Sequence, residues 1–449
     1  MNVGINFARY DEGATVQVTK VDGYQWPDMT VSPEAKFFIN QTAPGTFTMD
    51  TVISVDESTG KDKVELSGYD NSQKVEIGKY YGSISDGTMR VVYNPNTSHQ
   101  WQFFSAKNAS ITNQFFMDTL GAPNPISAGN QLWFVKECFN ALGIVGFFLF
   151  LLPFACLLMK TPFFAGIQQE APAPRPRPTD TKGKLVSAIS LVLLAVIPGI
   201  TVMPVFSKLA YGMIFTNAVA NNSTDFFPQP GPNAIVIWAL VNGLAAVAIF
   251  ALGYLIYGKK HGDGPDNWGV KTTWANVGKS ALLAILVTGV AYGFVLLADL
   301  FFTVDFRFWS FAIRAAEGNI LALVPHYLPF MLVFWLATSF MVNASARTEC
   351  KKEWHNTALR VVVNVIGLVA LVVIQFAVLF STGVAMWYAN RAWVNICLII
   401  PFIPMMIVGT VLLRKCFKKT GTIYFGAFLM ALVSTLIMVA NANTILRIR

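Results

Sequence analysis

The apolar residues of this sequence are distributed unevenly along the chain. From residue 133 to the C-terminus, long apolar runs alternate with short polar loops, whereas residues 1–130 mix charges, turns and short runs of β-forming residues. An apolar run of about 20 residues is long enough to cross a lipid bilayer as a helix. The pattern therefore predicts two parts, which are a water-soluble domain over residues 1–130 and a transmembrane helical domain over residues 131–449.

The second part contains about eight such runs, which is typical of a polytopic helical membrane protein. The fifth run is short, so its helix is either tilted or begins earlier. Proline interrupts the second run at Pro198 and Pro204 and the seventh run at Pro401 and Pro404. Kinks at these prolines are tolerated where neighbouring helices satisfy the freed carbonyl groups. The predicted spans cover residues 139–159, 185–206, 235–257, 278–301, 326–342, 359–380, 393–413 and 423–440.

The basic residues predict the orientation of these spans. The loops after the first, third, fifth and seventh runs are rich in lysine and arginine, and the opposite loops are poorer. By the positive-inside rule the basic loops are cytoplasmic, so we expect the N-terminal domain and the C-terminus to lie outside the cell membrane. The basic residues in question are Lys160, Arg175, Arg177, Lys182, Lys184, Lys259, Lys260, Lys271, Arg347, Lys351, Lys352, Arg414, Lys415, Lys418 and Lys419.

Composition narrows the classes of function. The chain is 54% hydrophobic and 13% charged, and its net charge of +8 is explained by the basic loops, so no nucleic-acid partner is predicted. Its five cysteines all lie in or beside the apolar runs, and none lies in residues 1–130. The N-terminal domain therefore has neither a disulfide framework nor a zinc-ligand spacing. We predict no cofactor.

Within residues 1–130 the pattern predicts an α/β domain. A strand-like run over residues 2–12 ends in an acidic pair, and residues 16–21 alternate β-forming and polar side chains. Ser32 followed by Pro33 is typical of a helix start, and predicts a short helix up to Ile39. Further strands are predicted over residues 47–55 and 74–77.

The stretch around His99 carries the strongest chemical pattern. A short β-branched and aromatic run over residues 89–93 ends in a turn, which is followed by His99 and by an amphipathic stretch over residues 108–120. A strand, a histidine-bearing loop and a closing helix are how an α/β-type serine hydrolase presents its catalytic base. The alternative interpretation is a surface histidine in a loop.

These segments together resemble an α/β-hydrolase. Residues 2–12 look like the penultimate core strand, and Asp11 stands where that family keeps its triad acid. The run Lys79-Tyr80-Tyr81-Gly82-Ser83, continued to His99, resembles the final strand and the catalytic-histidine loop, and residues 108–120 resemble the last helix. The arrangement of the whole chain is similar to bacterial membrane-anchored α/β-hydrolase-like proteins, in which an ectodomain precedes a large multi-span region.

The resemblance implies that Asp11 is the acid and His99 the base of a catalytic triad. In that family the nucleophilic serine precedes both of them along the chain. No G-x-S-x-G motif occurs in the sequence. The nearest run, Ser83-Ile84-Ser85-Asp86-Gly87, has serine in place of the first glycine and precedes a strand rather than a helix. The chain therefore carries an acid and a base without a nucleophile, and we expect it to be inactive alone. An unrelated β-rich ectodomain is the alternative.

The predicted orientation adds an expectation about partners. A folded domain of this size needs a signal peptide or a preceding span to cross a membrane, and the first strand-like run starts without either. We therefore expect the chain to be the C-terminal part of a longer protein, or one half of a split protein whose other half is encoded upstream. The lipid bilayer is the other expected partner.

Polar residues at the outer ends of the spans are further candidates. Asp299, Asp305, Arg307, Glu317 and His326 lie on the predicted outer side, where they could handle substrate. For Asp305 and Arg307 a structural ion pair or headgroup anchor is the alternative. The spacing of these residues matches no metal-ligand pattern, so no metal site is predicted. Four amides are predicted to make hydrogen bonds between helices, namely Asn242, Asn364, Gln375 and Asn395.

Two classes of function remain open from the sequence. One is a membrane-bound serine hydrolase that cleaves esters or amides outside the cell once an upstream segment supplies the nucleophile. The other is a non-catalytic multi-span protein, either transporter-like or a scaffold, with a small ectodomain. The absence of an obvious inverted repeat and the scarcity of charges within the spans argue against transport.

Overall fold

Helices make up most of this chain. The computed structural model describes residues 1–12, 30, 33–41, 51–56, 61–66, 72–122, 124, 126–216, 222–345, 352–387 and 393–445. The chain divides into two compact units. Unit 1 comprises Met1–Phe134 and Val373–Val394, and unit 2 comprises Val135–Val372 and Asn395–Arg449.

The described residues of unit 1 form two pairs of strands and two helices before the first span. Strands β1 and β4 are parallel, with Val3 opposite Arg90 and Asn6 opposite Tyr93, and β2 and β3 form an antiparallel hairpin. The elements are β1 (Val3–Asn6), α1 (Pro33–Asn40), β2 (Thr51–Asp56), β3 (Lys61–Leu66), β4 (Arg90–Tyr93) and α2 (Ala106–Leu120).

Both helices of unit 1 were predicted from the sequence. Helix α1 buries Phe38 and Ile39 in a small core with Val75 and Val92 of β4. Helix α2 begins after Ser105, whose side-chain oxygen accepts a hydrogen bond from the backbone N–H of Asn108 at 3.3 Å. Such a cap satisfies one of the amide groups that the first helical turn leaves without an intrahelical partner.

The strand predictions for unit 1 were partly wrong. Residues 74–77 form no strand: the Val75 N–H donates to Thr30 O and the Gly78 N–H to Val92 O, and these two isolated bonds to different segments make no ladder among the described residues. Burial of Val75 in the α1 core satisfies the apolar position that suggested a strand. Strand β2 overlaps the predicted run over 47–55, β3 was not predicted, and the run over 16–21 lies outside the described residues.

The remaining helices carry the spans. They are α3 (Trp133–Leu158), α4 (Pro162–Ala165), α5 (Thr181–Met203), α6 (Pro230–Ile256), α7 (Trp274–Phe302), α8 (Gly318–Leu321), α9 (Val324–Phe340), α10 (Glu353–Thr382), α11 (Val394–Ile399), α12 (Phe402–Thr420) and α13 (Tyr424–Asn441). A short hairpin between α7 and α8 consists of β5 (Phe306–Phe308) and β6 (Phe311–Ile313).

Eight helices among the described residues are long and apolar enough to cross a membrane, which confirms the predicted number. The chain is thus a polytopic helical protein. Of the four prolines predicted to interrupt spans, Pro204 and Pro401 do so, whereas α5 continues through Pro198 and α12 contains Pro404. After Pro204, helix α5 widens into π-type turns up to Ile214, because proline lacks the N–H that an α-helical turn requires. The seventh span is divided at Pro401 into α11 and α12.

Polar side chains join the spans of unit 2. Asn242 of α6 donates to Thr201 of α5 at 3.0 Å. The other pairs are Asn364 with Thr410 and Asn395 with Ser207, both at 2.9 Å. Three of the four predicted amides therefore bond between spans, whereas Gln375 makes no hydrogen bond with another described residue.

Candidate functional site

Two neighbouring segments of unit 1 bring the predicted acid and base together. Beyond the paired strands β1 and β4, the chains continue side by side, since the Arg9 N–H donates to Pro95 O and the Tyr10 N–H to Thr97 O, both at 2.9 Å. An isolated parallel bridge then joins Tyr10 to Ser98. Asp11 follows Tyr10 on the first segment, and His99 follows Ser98 on the second. The parallel pairing thus aligns residues that are 88 positions apart in the sequence.

Asp11 and His99 form a hydrogen-bonded pair. His99 Nδ1 lies 3.0 Å from Oδ2 and 3.2 Å from Oδ1 of Asp11. A carboxylate only accepts hydrogen bonds, so Nδ1 carries the proton and Nε2 has a free lone pair when the ring is neutral. The Asp11 side chain is 12% exposed and the His99 side chain is 49% exposed. The acid is therefore enclosed while the imidazole reaches solvent.

Two further polar residues hold this pair in place. The Gln102 side-chain amide donates to Asp11 Oδ2 at 3.1 Å. The Glu12 carboxylate accepts the backbone N–H of His99 at 2.9 Å. Gln102 lies in a 3₁₀ turn over Gln102–Phe104 that leads into α2, so the helix and the histidine loop are fixed to the same carboxylate.

The electrostatics of the site follow from these contacts. The hydrogen bond from Nδ1 to Asp11 raises the pKa of His99 above its ordinary value of 6.5, and partial burial of the ring opposes this. Burial raises the pKa of Glu12, because Glu12 is only 1% exposed and a desolvated carboxylate is harder to ionise. The imidazole is thus poised beside one enclosed carboxylate, in the arrangement that orients a general base.

One aromatic side chain from a distant part of the sequence borders the imidazole. Trp393, which belongs to the same unit, packs edge-on against His99 with ring centroids 5.6 Å apart. Trp393 is 9% exposed, and its indole N–H finds no acceptor among the described residues. Nearby, Tyr10 packs edge-on against Phe380 at 5.2 Å.

The remaining nitrogen of the imidazole is open. Among the residues that the structure describes, no side chain or backbone group bonds His99 Nε2. This is the atom that takes the proton of the nucleophile in a triad. Ser83 and Ser85 of the nearest motif-like run bond each other at 2.8 Å. Chemically, the cluster can accept a proton and stabilise the resulting imidazolium.

The predicted outer residues form a separate set in unit 2. Arg307 of β5 donates from Nε to Asp305 Oδ1 at 2.8 Å, and Arg314 Nε lies 3.8 Å from Asp305 Oδ2. This closed pair beside a two-residue hairpin turn agrees with the structural-ion-pair interpretation. Its carboxylate is already shared between two guanidinium groups.

The other three outer residues do not converge on one point. The Asp299 side chain is exposed on α7, and Glu317 is exposed just before α8. His326 stacks on Phe226 with ring centroids 4.1 Å apart. The described residues contain no group of three or more His, Cys, Asp or Glu side chains that could hold a metal ion. Their substrate-handling role stays a prediction.

Sequence reasoning missed Glu12, Gln102 and Trp393 as members of the site. Glu12 and Gln102 flank the predicted acid and base closely, so an acidic pair and a polar residue three positions after His99 could have suggested them. Trp393 lies 294 residues after His99 and had no local pattern to suggest it. A scan against protein-family models, a search of curated proteins and a search of solved structures each find no match to this chain.

Proposed function

We propose that Asp11 and His99 are the acid and the base of a serine hydrolase acting on an ester or amide, and that another polypeptide segment supplies the serine. The hydrogen bond between Asp11 and His99 Nδ1 carries this proposal. It fixes the tautomer in which Nε2 can accept a proton, and it leaves that nitrogen open for a serine hydroxyl.

The architecture supports the same proposal. The parallel pairing of β1 with β4 and the position of α2 after His99 agree with the last two strands and the last helix of an α/β-hydrolase-like ectodomain. The order of acid and base along the chain also agrees with that class. We place this ectodomain and the C-terminus outside the cell membrane, on the basis of the basic loops at the other ends of the spans.

A fluorophosphonate probe, which reacts with activated serines, tests the proposal in membranes of the source cells. We expect the probe to label a serine that lies outside residues 1–449. His99→Gln should slow that labelling by about 10²- to 10⁴-fold, because the serine loses its general base. Asp11→Asn should act in the same direction, since it removes the group that fixes the tautomer.

His355→Gln is the matched control. His355 is exposed at the start of α10 and lies outside unit 1, so labelling should stay at the wild-type rate. The abundance of each variant in the membrane is measured by immunoblot. If no labelled species depends on His99 at equal abundance, the hydrolase proposal is wrong and the non-catalytic alternative stands. Labelling of a serine within residues 1–449 would mean that these residues contain the nucleophile.

A further inference from the structure

A basic cavity lies within unit 2. Its volume is about 150 Å³, and it is bordered by the proline-rich segment before α5, by α5 and α6, and by the loop after α6. The positive-inside rule assigns this end of the spans to the cytoplasm. Three arginines and one aspartate line the cavity, so its lining carries an excess of positive charge.

The charged groups of this cavity come from separate parts of the chain. Arg175 forms an ion pair with Asp263 and lies over the ring of Phe250, with 5.0 Å between the guanidinium carbon and the ring centroid. Arg177 is exposed at the rim, and Arg360 of α10 is 2% exposed within the wall. A guanidinium group presents several N–H donors in a plane, which suits the oxygens of a phosphate.

An apolar cavity adjoins the basic one. It has a volume of about 50 Å³ and is lined by Pro198, Trp238 and Met406 among others. Leu194 of α5 and Ile249 of α6 line both cavities, so the two meet along these helices. From Val186 in the basic cavity to Pro198, α5 rises about 18 Å, which is more than half of the roughly 30 Å hydrocarbon core.

The surroundings of α5 allow entry from the bilayer. Of the eight described spans, the one over Thr181–Ile214 has the smallest buried share, 11%, so most of its surface is not covered by other described residues. The arginines at the polar mouth suit the headgroup of a phospholipid. The apolar path beside α5 suits one of its acyl chains. Basic pockets at the cytoplasmic ends of spans favour anionic headgroups.

We propose that these two cavities bind one anionic phospholipid, with its phosphate between Arg177 and Arg360 and one acyl chain between α5 and α6. The site is independent of the proposed hydrolase chemistry. It would couple the positions of α5, α6 and α10 to the lipid composition of the inner leaflet.

Native mass spectrometry of the purified full chain in detergent tests the proposal. The probes are dioleoylphosphatidylglycerol, dioleoylphosphatidylcholine and glycerol 1-phosphate. We expect the anionic lipid to bind about tenfold more tightly than the zwitterionic lipid. The double substitution Arg177→Gln and Arg360→Gln should lower the affinity for the anionic lipid by at least about tenfold, because each basic residue near an anionic lipid contributes on the order of 1 kcal/mol to binding.

Lys259→Gln with Lys260→Gln is the matched control. Both lysines are exposed beside the cavity without lining it, and the pair of substitutions removes the same charge. Lipid binding should therefore be unchanged. If Arg360→Gln prevents folding, Arg177→Gln alone carries the test, with about fivefold weaker binding expected because its side chain is exposed and its loss leaves packing intact.

Leu194→Phe tests the apolar cavity. The larger side chain narrows the junction between the two cavities and should weaken binding of the anionic lipid. Equal binding of the two lipids, or equal loss in the lysine control, would overturn the proposal. Binding of glycerol 1-phosphate that displaces the lipid, together with no effect of Leu194→Phe, would also overturn it, because the site would then belong to a soluble phosphate.

Discussion

A carboxylate is paired with a basic side chain in each unit of this protein. The two basic side chains differ in how many of their nitrogen atoms are hydrogen-bonded. In unit 2, Arg414 donates to Glu353 from Nε at 3.1 Å and to Asn343 from Nη1 at 3.1 Å, and Lys418 lies 3.6 Å from the same carboxylate. In unit 1, His99 bonds Asp11 through one ring nitrogen only, and its side chain is 49% exposed.

The difference separates two uses of charge in one chain. Arg414 is 4% exposed and its guanidinium is engaged by several partners, so this pair joins α10 to α12 and offers little to a ligand. His99 has one nitrogen without a partner among the described residues and lies beside an enclosed carboxylate, as the proposed general base requires. We therefore expect loss of the closed pair to lower stability, and loss of the open pair to change chemistry.

The largest effect on stability is expected from Arg414→Met. The substitution leaves Glu353 and Asn343 without their buried partner, and breaking a buried pair typically costs about 3–5 kcal/mol. The Glu353 side chain is 37% exposed and can regain water, so we expect a loss of about 2–3 kcal/mol in the free energy of unfolding. Thermal unfolding of the full chain in detergent measures it.

Arg314→Met is the control for this prediction. Arg314 is 48% exposed and its Nε lies 3.8 Å from Asp305, so removing it should change stability by less than about 0.5 kcal/mol. Equal losses of unfolding free energy in the two variants would show that the buried pair stabilises unit 2 no more than an exposed ion pair does. The expected difference between the closed and the open pair would then be wrong.

A smaller effect is expected where backbones meet. A Cβ atom on Gly199 would lie 2.3 Å from the carbonyl oxygen of Gly367, so α5 and α10 must separate to admit it. On Gly4 of β1 the nearest atoms belong to the Phe115 side chain at 3.0 Å, and that ring can move. We expect Gly199→Ala to destabilise the protein by about 1–3 kcal/mol.

Gly4→Ala is the counterpart in unit 1, with an expected cost below about 1 kcal/mol, because a side chain yields more easily than a backbone. The midpoint of thermal unfolding compares the two substitutions under one condition. A larger loss for Gly4→Ala than for Gly199→Ala would contradict the idea that unit 2 is the more tightly packed of the two at these contacts.

The smallest change in stability is expected from Asp11→Asn, which should instead alter the titration of His99. Without the carboxylate, the pKa of His99 should fall, since the hydrogen bond to Asp11 is the main cause that raises it above 6.5. The sequence has four histidines, so ¹³C labelling of the histidine Cε1 gives few NMR signals, and His99→Gln assigns the relevant one. Asp86→Asn, an exposed carboxylate in the same unit, should leave this titration unchanged.

The sign of the pH dependence follows from the raised pKa. Protonated His99 stabilises the folded state fully below pH 6.5, and this contribution is lost as the pH rises through the folded-state pKa. The neutral form needed for a general base gains population over the same interval. The rate of any serine labelling that depends on His99 should therefore increase as the pH rises through the folded-state pKa. An increase that is complete below pH 6.5 would contradict the role of Asp11.

Much of the fold could be predicted from the sequence because local patterns determine it. Apolar runs near bilayer length identified the eight spans, and Pro401 marked the division of the seventh. Ser32 followed by Pro33 identified α1, and an amphipathic run identified α2. Strand pairing is less local. Strand β3 begins with three consecutive charged residues over 61–63, a pattern that loops share. Residues 74–77 have a strand-like pattern but no neighbour among the described residues with which to form a ladder.

The candidate site shows the same limit. The resemblance to an α/β-hydrolase implied that Asp11 and His99 meet, and the structure brings them within hydrogen-bond distance. Their catalytic role stays a prediction. The packing of Trp393 against His99 could not be predicted, because contacts between residues so far apart depend on how whole elements assemble. Hydropathy reports which residues avoid water and gives no information on which distant neighbours they meet.

The membership of unit 1 has a practical consequence for biochemistry on this protein. The end of α10 and the segment up to Val394 belong to the same compact unit as the first 134 residues, through contacts such as Tyr10 with Phe380. A soluble fragment cut at the start of the first span would therefore lose part of its own surface, including the tryptophan beside His99. Ligand screens and antibody selections against unit 1 are better performed on the whole chain than on such a fragment.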